Sequence, residues 1–253
     1  MIDQTNYIKR FYEQESKNGS YSPLIRNVIK TPYWWTSVDD RLEEISLKLN
    51  HYLKDKSNQK ILDIACGDGI FEAILDQKIR DNDSFVGVDI SENQKEKSKK
   101  YFDQFVIIDI SQEKLPFDSN TFDVVILSEV LEHVFHPENV IAEIRRVLKP
   151  GGYLFFSCPN LSSLDNRFSM FFLGTSEFID YARTKQHIRF FTIKTLRNLF
   201  VGFKIYYYQG TGILALPRII ISYRINLPRF IQKFVNRKIK KCASGIFIIF
   251  RKK

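Results

Sequence analysis

Two groups of residues in this chain have the types and spacing of chemical sites. The first runs Asp63-Ile64-Ala65-Cys66-Gly67-Asp68-Gly69 and is followed, twenty residues past Gly69, by Asp89. An apolar strand entering a glycine turn lets the backbone turn tightly and approach a ligand with no Cβ in the way. A carboxylate closing the next strand at that distance suits the two hydroxyls of a ribose. The second group is Glu129-Val130-Leu131-Glu132-His133. As one helical turn it puts Glu129, Glu132 and His133 at i, i+3 and i+4, on one face. Two carboxylates and an imidazole suit a divalent ion such as Mg2+ or Mn2+. They equally suit proton removal, with His133 as the base and a glutamate fixing its orientation. His136, followed by Pro137, reads as a turn residue and His51 as a helix-surface residue.

These residues need elements to hold them. Apolar runs predict strands at about 60–65, 84–89, 104–108, 122–128 and 152–158, and helices at about 69–79, 92–102 and 137–148. Val140, Ile144, Val147 and Leu148 form the apolar stripe of the last of these helices. Such alternation predicts a parallel sheet with helices on both faces, with ligands beyond the carboxyl ends of the strands. An earlier helix is predicted from Ser37 or Asp39 to about Leu53, with Leu42, Ile45, Leu49 and Tyr52 on one face. The aromatic cluster Thr31-Pro32-Tyr33-Trp34-Trp35 precedes it. From Asn160 to Thr192 the rhythm breaks, and Phe168, Met170, Phe171, Phe172, Phe178 and Tyr181 read as an insertion over the site. Thr192–Phe200 then reads as a capped helix, and Phe203–Tyr208 and residues 245–250 as strands.

Three further signals follow in order: Asp109 after Phe105-Val106-Ile107-Ile108, then Phe122 to Glu129, then Leu148-Lys149-Pro150-Gly151-Gly152. With this set the chain resembles the class I S-adenosylmethionine (SAM)-dependent methyltransferases over roughly residues 58–160. A dinucleotide-binding dehydrogenase half fits less well, because Phe71 and Glu72 stand where its third glycine belongs. The resemblance implies an α/β, Rossmann-like, seven-stranded and mostly parallel sheet whose last two strands are an antiparallel pair. It implies a helical cap segment over 1–57 and a SAM-binding domain over 58–253, with lid insertions at about 160–191 and 211–241.

For the cofactor, the resemblance implies that Asp63 supports the glycine turn and the amino-acid end of SAM, and that Gly67 and Gly69 line that end. Asp89 would hold the ribose with Ile90 against adenine; Asp109 would accept from the adenine amino group with Ile110 beside it. Ser128 would lie near the methionine portion. The Glu-x-x-Glu-His pattern is similar to that of metal-using O-methyltransferases, among them RNA 2′-O-methyltransferases that add a histidine downstream. His187 offers one in a comparable place, so Glu129, Glu132, His133 and His187 are the implied metal or catalytic set. His187-x-Arg189-Phe190-Phe191-Thr192 resembles methyltransferases found with bacterial surface-polysaccharide biosynthesis. Arg189 suits a phosphate or carboxylate of the acceptor, or a structural ion pair across the lid.

Charge narrows the partners. Residues 1–180 hold 21 Lys and Arg against all 29 Asp and Glu, whereas residues 181–253 hold 17 Lys and Arg and no acid. A field so divided favours phosphates, polyanions or anionic lipid, or simply solvates a basic face. The stretch 211–241 alternates apolar residues with Arg218, Arg224, Arg229, Lys233, Arg237 and Lys238, a pattern suited to an anionic membrane surface, a second copy or a packed lid. No secretory signal, no apolar run of membrane-spanning length and three scattered cysteines predict a reduced, cytoplasmic protein. The expected function is O-methylation of a small anionic or sugar-linked acceptor, such as a nucleotide sugar, phosphate or phosphoramidate group, in surface-glycan biosynthesis. The rivals are an RNA 2′-O-methyltransferase, against which no RNA-binding module is visible, and a non-catalytic SAM-fold binding subunit.

Overall fold

The computed structural model describes residues 37–175, 187–212, 234 and 236–253. The aromatic cluster at 31–35, Phe178, Tyr181 and most of the basic stretch 211–241 lie outside the described residues. Seven strands form one sheet: β1 Lys60–Ile64, β2 Ser84–Asp89, β3 Gln104–Ile107, β4 Phe122–Ser128, β5 Leu148–Pro159, β6 Phe203–Thr211 and β7 Gly245–Lys252. Their order is β3-β2-β1-β4-β5-β7-β6, and β7 runs antiparallel to both neighbours. The sheet is thus the one the motifs imply.

Helices α1 Ser37–Leu53, α2 Ile70–Ala73, α3 Gln77–Asn82, α4 Glu92–Ser98, α5 Pro137–Val147, α6 Leu164–Leu173 and α7 Ile193–Leu199 complete the described helical elements. Successive strand residues go to opposite faces, so both faces carry a core. Leu62, Ile64, Val125, Leu127, Ile246 and Ile248 join Val140, Ile144 and Val147 of α5 and Leu196 of α7. Ile61, Val124, Ile126, Phe247 and Ile249 join Ile45, Leu49 and Leu53 of α1. Burial on both faces explains why these strands read as mostly apolar runs, broken by Asp63 in β1 and Asp123 in β4.

Several boundaries differ from the sequence reading. The helix expected at 69–79 is two pieces, because Asp76 caps a new start: its side chain accepts from the Lys78 N–H at 2.9 Å, and Asn50 Oδ1 accepts from the Asp76 N–H at 3.1 Å. The helix expected at 92–102 tightens after Ser98 into a 3-10 turn over Lys99–Tyr101. Strand β5 begins four residues early, at Leu148, and its register against β4 shifts between Phe122 and Val124, where Pro150-Gly151-Gly152 are accommodated. Inside the 160–191 insertion the chain forms α6, whose N-terminal N–H of Asn166 is capped by Ser163. Thr192 caps α7 as expected, accepting from the Thr195 N–H.

Candidate active site

Beyond the carboxyl ends of β1 and β2, the chain makes three left-handed steps, at Ala65 (φ 55°), Gly67 (φ 55°) and Gly69 (φ 72°). A Cβ on Gly67 would meet nothing within 4 Å, so its absence leaves open space against the turn. A Cβ on Gly69 would strike the Tyr101 ring at 2.8 Å. Asp89 closes the turn from β2: its Oδ2 accepts from the Gly67 N–H and its Oδ1 from the Ser91 N–H, both at 2.9 Å. Asp109 follows β3, and its Oδ1 accepts from the N–H and hydroxyl of Ser111 at 2.9 and 2.6 Å. Ile90 and Ile110 are half-buried beside them. Asp63 is buried beneath the turn, where desolvation and the nearby Glu72 and Asp89 push its carboxyl well up.

The second group sits at the exit of β4, and its local geometry corrects the sequence reading. Residues 129–133 are not one helical turn. Glu129 is left-handed (φ 57°), and only Leu131–His133 form a 3-10 turn. Glu129 therefore does not share a helical face with Glu132 and His133, although its charge stays close enough to act on Glu132. Glu129 Oε1 accepts from Ser157 Oγ at 2.9 Å and its Oε2 pairs with Arg41 Nη2 at 2.8 Å. Ser128 Oγ shares a hydrogen with Ser157 Oγ at 2.8 Å, so the chain Ser128–Ser157–Glu129–Arg41 links β4, β5 and α1.

Glu132, His133 and His187 do converge. The Glu132 carbonyl accepts from the Ile188 and Arg189 N–H groups at 2.9 and 3.0 Å, which docks the segment after residue 186 on the 3-10 turn. The His133 and His187 rings meet edge to face with centroids 4.8 Å apart. One ligand atom from each of the three residues lies within 4.8 Å of the others. Glu132 is 2% exposed and neither carboxylate oxygen has a hydrogen-bond partner. Burial and the Glu129 charge push its carboxyl well up, against the pull of Arg41. Burial and Arg41 push the His187 imidazole below its ordinary value, which keeps it neutral near pH 7. Arg189 is exposed and donates through Nη2 to the Phe135 carbonyl, a second tether of the same segment. His136 is the N-cap residue of α5, paired with Glu138, and His51 is exposed on α1, as expected.

The sequence reading missed Arg41, Ser157 and Glu72. Arg41 and Ser157 carry no spacing signal, because each comes from an element distant in the chain. Glu72 offered one: an acid three residues after Gly69, in an otherwise apolar helix start.

A family model described as a methyltransferase domain matches residues 36–206. The chain belongs to this methyltransferase family. It is 34% identical over 155 residues to the mitochondrial ubiquinone biosynthesis O-methyltransferase of Mus musculus, covering 58% of this chain and 40% of the relative. It is 29% identical over 181 residues to the demethylmenaquinone methyltransferase of Lactococcus lactis, covering 62% and 71%. The chain spans less than half the length of the first curated relatives it matches, at 41, 40 and 46% of them. A SAM-dependent methyltransferase structure from Archaeoglobus fulgidus shares the fold, with a TM-score of 0.56, 20% identity and coverage of 83% of this chain and 94% of that one.

SAM is the cofactor of this methyltransferase, and the glycine turn fits it. Gly67 leaves the space a side chain would fill, and the Asp89 carboxylate holds the turn beside that space through the Gly67 and Ser91 N–H groups. When bound, SAM supplies a methyl group already activated by its sulfonium. What remains for the chain is to align an acceptor and take its proton. Among the described residues, no helix is long and apolar enough to cross a membrane.

Proposed function

We propose that this methyltransferase transfers the methyl group to a hydroxyl of a small acceptor bearing an anionic or sugar-linked group, of the kind used in surface-glycan biosynthesis. The observation that carries the reading is the convergence of Glu132, His133 and His187 at the exit of β4, on the same strand-end rim as the glycine turn. A neutral His187 edge to face with His133 suits removal of a hydroxyl proton. The O-methyltransferase named among the relatives supports oxygen as the acceptor atom. The acid-free sequence after residue 180 supports an anionic acceptor, with Arg189 at its near edge.

A specific observation favours a second mechanism at the same place. Both oxygens of buried Glu132 are orphaned, and a divalent ion would satisfy them together with the two imidazoles. Glu132, His133 and His187 would then hold the ion, which would lower the acceptor hydroxyl's pKa. Glu129 stands outside this set.

Methyl transfer from isotope-labelled SAM, read by mass spectrometry over nucleotide sugars, sugar phosphates, phenolic acids and transcribed RNA, tests the reading. Methylated anionic sugars support it, and exclusive methylation of RNA replaces it with the RNA reading. Loss of turnover in EDTA with recovery in Mg2+ or Mn2+ selects the metal mechanism; indifference to EDTA selects the histidine base.

A further inference from the structure

Beneath the glycine turn Asp63 is paired with a second acid, Glu72, to which the methyl-transfer chemistry gives no role. Glu72, in α2, is wholly buried, and neither of its oxygens finds a hydrogen-bond donor. Asp63, at the end of β1, is 2% exposed, and its Oδ2 likewise finds none. The two carboxyls are nevertheless each other's side-chain neighbours at hydrogen-bonding range. Two ionised carboxylates have no hydrogen to offer, so this contact is a bond only when one of them carries a proton. A pair of like charges in a water-free site cannot both ionise at low cost.

The surroundings reinforce this. Asp89 on β2, Asp68 in the turn and the buried Cys66 thiol face the pair, and Arg80 of α3 is the cation that acts on Glu72. Gly87 keeps β2 close: a Cβ there would lie 3.0 Å from Cys66 Sγ. The local field is therefore acidic, and the open side of Gly67 is where it meets a ligand.

We propose that Asp63 and Glu72 share one proton in the free protein and give it up to solvent when the cationic methionine end of SAM is bound. Glu72 is then a positioning residue: its proton sets how much negative charge the turn presents. This rests on the assignment of the glycine turn as the SAM site. The consequence is a cofactor affinity that falls as pH drops, because protons and SAM compete. Burial pushes the Glu72 carboxyl up to about 7, which places the competition near neutral pH. S-adenosylhomocysteine lacks the sulfonium charge and so releases less proton than SAM.

Calorimetry of SAM binding to the full chain at pH 7, in buffers of low and high ionisation enthalpy, counts the protons released. The expected result is release of a substantial fraction of one proton with SAM, less with S-adenosylhomocysteine, and almost none from Glu72→Gln. Glu72→Gln should also flatten the dependence of SAM affinity on pH between about 6 and 8, a readout that a merely structural role would not move. SAM binding by the unaltered protein with the same heat in every buffer overturns the proposal without any variant. Equal release by Glu72→Gln also overturns it. No SAM binding at all would instead remove the assignment on which it rests.

Discussion

The two halves of the active-site rim are built differently. On the cofactor half, apart from Ser128 at the end of β4, the polar groups sit between residues 63 and 111 and bond within that stretch. Asp89 reaches Gly67 and Ser91, and Asp109 reaches Ser111. On the acceptor half, the partners come from α1, β4, β5 and the segment before α7. Arg41 meets Glu129, Ser157 meets Ser128 and Glu129, and His187 meets His133. A local site can be specified by a short motif. A non-local one exists only after the sheet has formed, and it is free to vary with the acceptor while the sheet stays the same.

The comparison is broken most directly at the histidines. His133→Ala and His187→Ala should each lower kcat by about 10²–10⁴-fold while leaving SAM binding within a few-fold, because a proton-removing group acts in the transition state. Calorimetry beside steady-state kinetics checks this; an equal loss of SAM affinity would erase the division between halves. Next in size is Asp89→Ala, which removes an ionised acceptor from the turn. SAM affinity should drop by about 10–100-fold, and the melting transition of the free protein should fall as well, because the Gly67 and Ser91 N–H groups lose their acceptor.

Arg41→Ala tests the non-local half by stability. It strands Glu129 next to Glu132, and the expected cost is about 1–3 kcal/mol in denaturant unfolding, below a fully buried pair because the Glu129 side chain is 26% exposed. Arg41→Ala with Glu129→Gln should recover part of that loss; a strictly additive double variant would mean the pair is not coupled. The smallest effect is a pH dependence. The Glu72 carboxyl is raised from 4.5 to about 7 in the folded protein, so the folded state holds more protons than the unfolded one across that window. Its contribution is fully present below the ordinary value and is lost as pH rises through about 7. Thermal melts at about pH 5 and pH 8 should show a smaller fall in Tm for Glu72→Gln than for the unaltered chain.

The same division governs what could be read from sequence. Strands at 84–89 and 122–128 were legible to the residue, since both faces are buried and the runs Phe85–Val88 and Val124–Leu127 carry no charged residue. The glycine turn, Asp89 and Asp109 were legible because strand ends and spacing carry them. Asp76 was not read as a new helix start, although its cap is local: its own side chain accepts from the Lys78 N–H. Glu129 was placed on a helical face by its i, i+3, i+4 spacing. In the folded protein Arg41 and Ser157 draw it out of that face, and neither is visible from residues 129–133. His187 was found by analogy, and what seats it is backbone donation from Ile188 and Arg189 to the Glu132 carbonyl. No side-chain pattern reports such a bond.

The place of β7 between β5 and β6 has a consequence during synthesis. Until residues 245–252 have been made, the open edge of β5 and the whole of β6 lack their partner. About 85 residues separate the end of β5 from the start of β7, roughly 4–17 s of translation at the usual rates. Through that interval the nascent chain carries Leu154, Phe155 and Phe156 on an unpaired strand edge, an edge a chaperone must shield or a neighbouring chain will pair with.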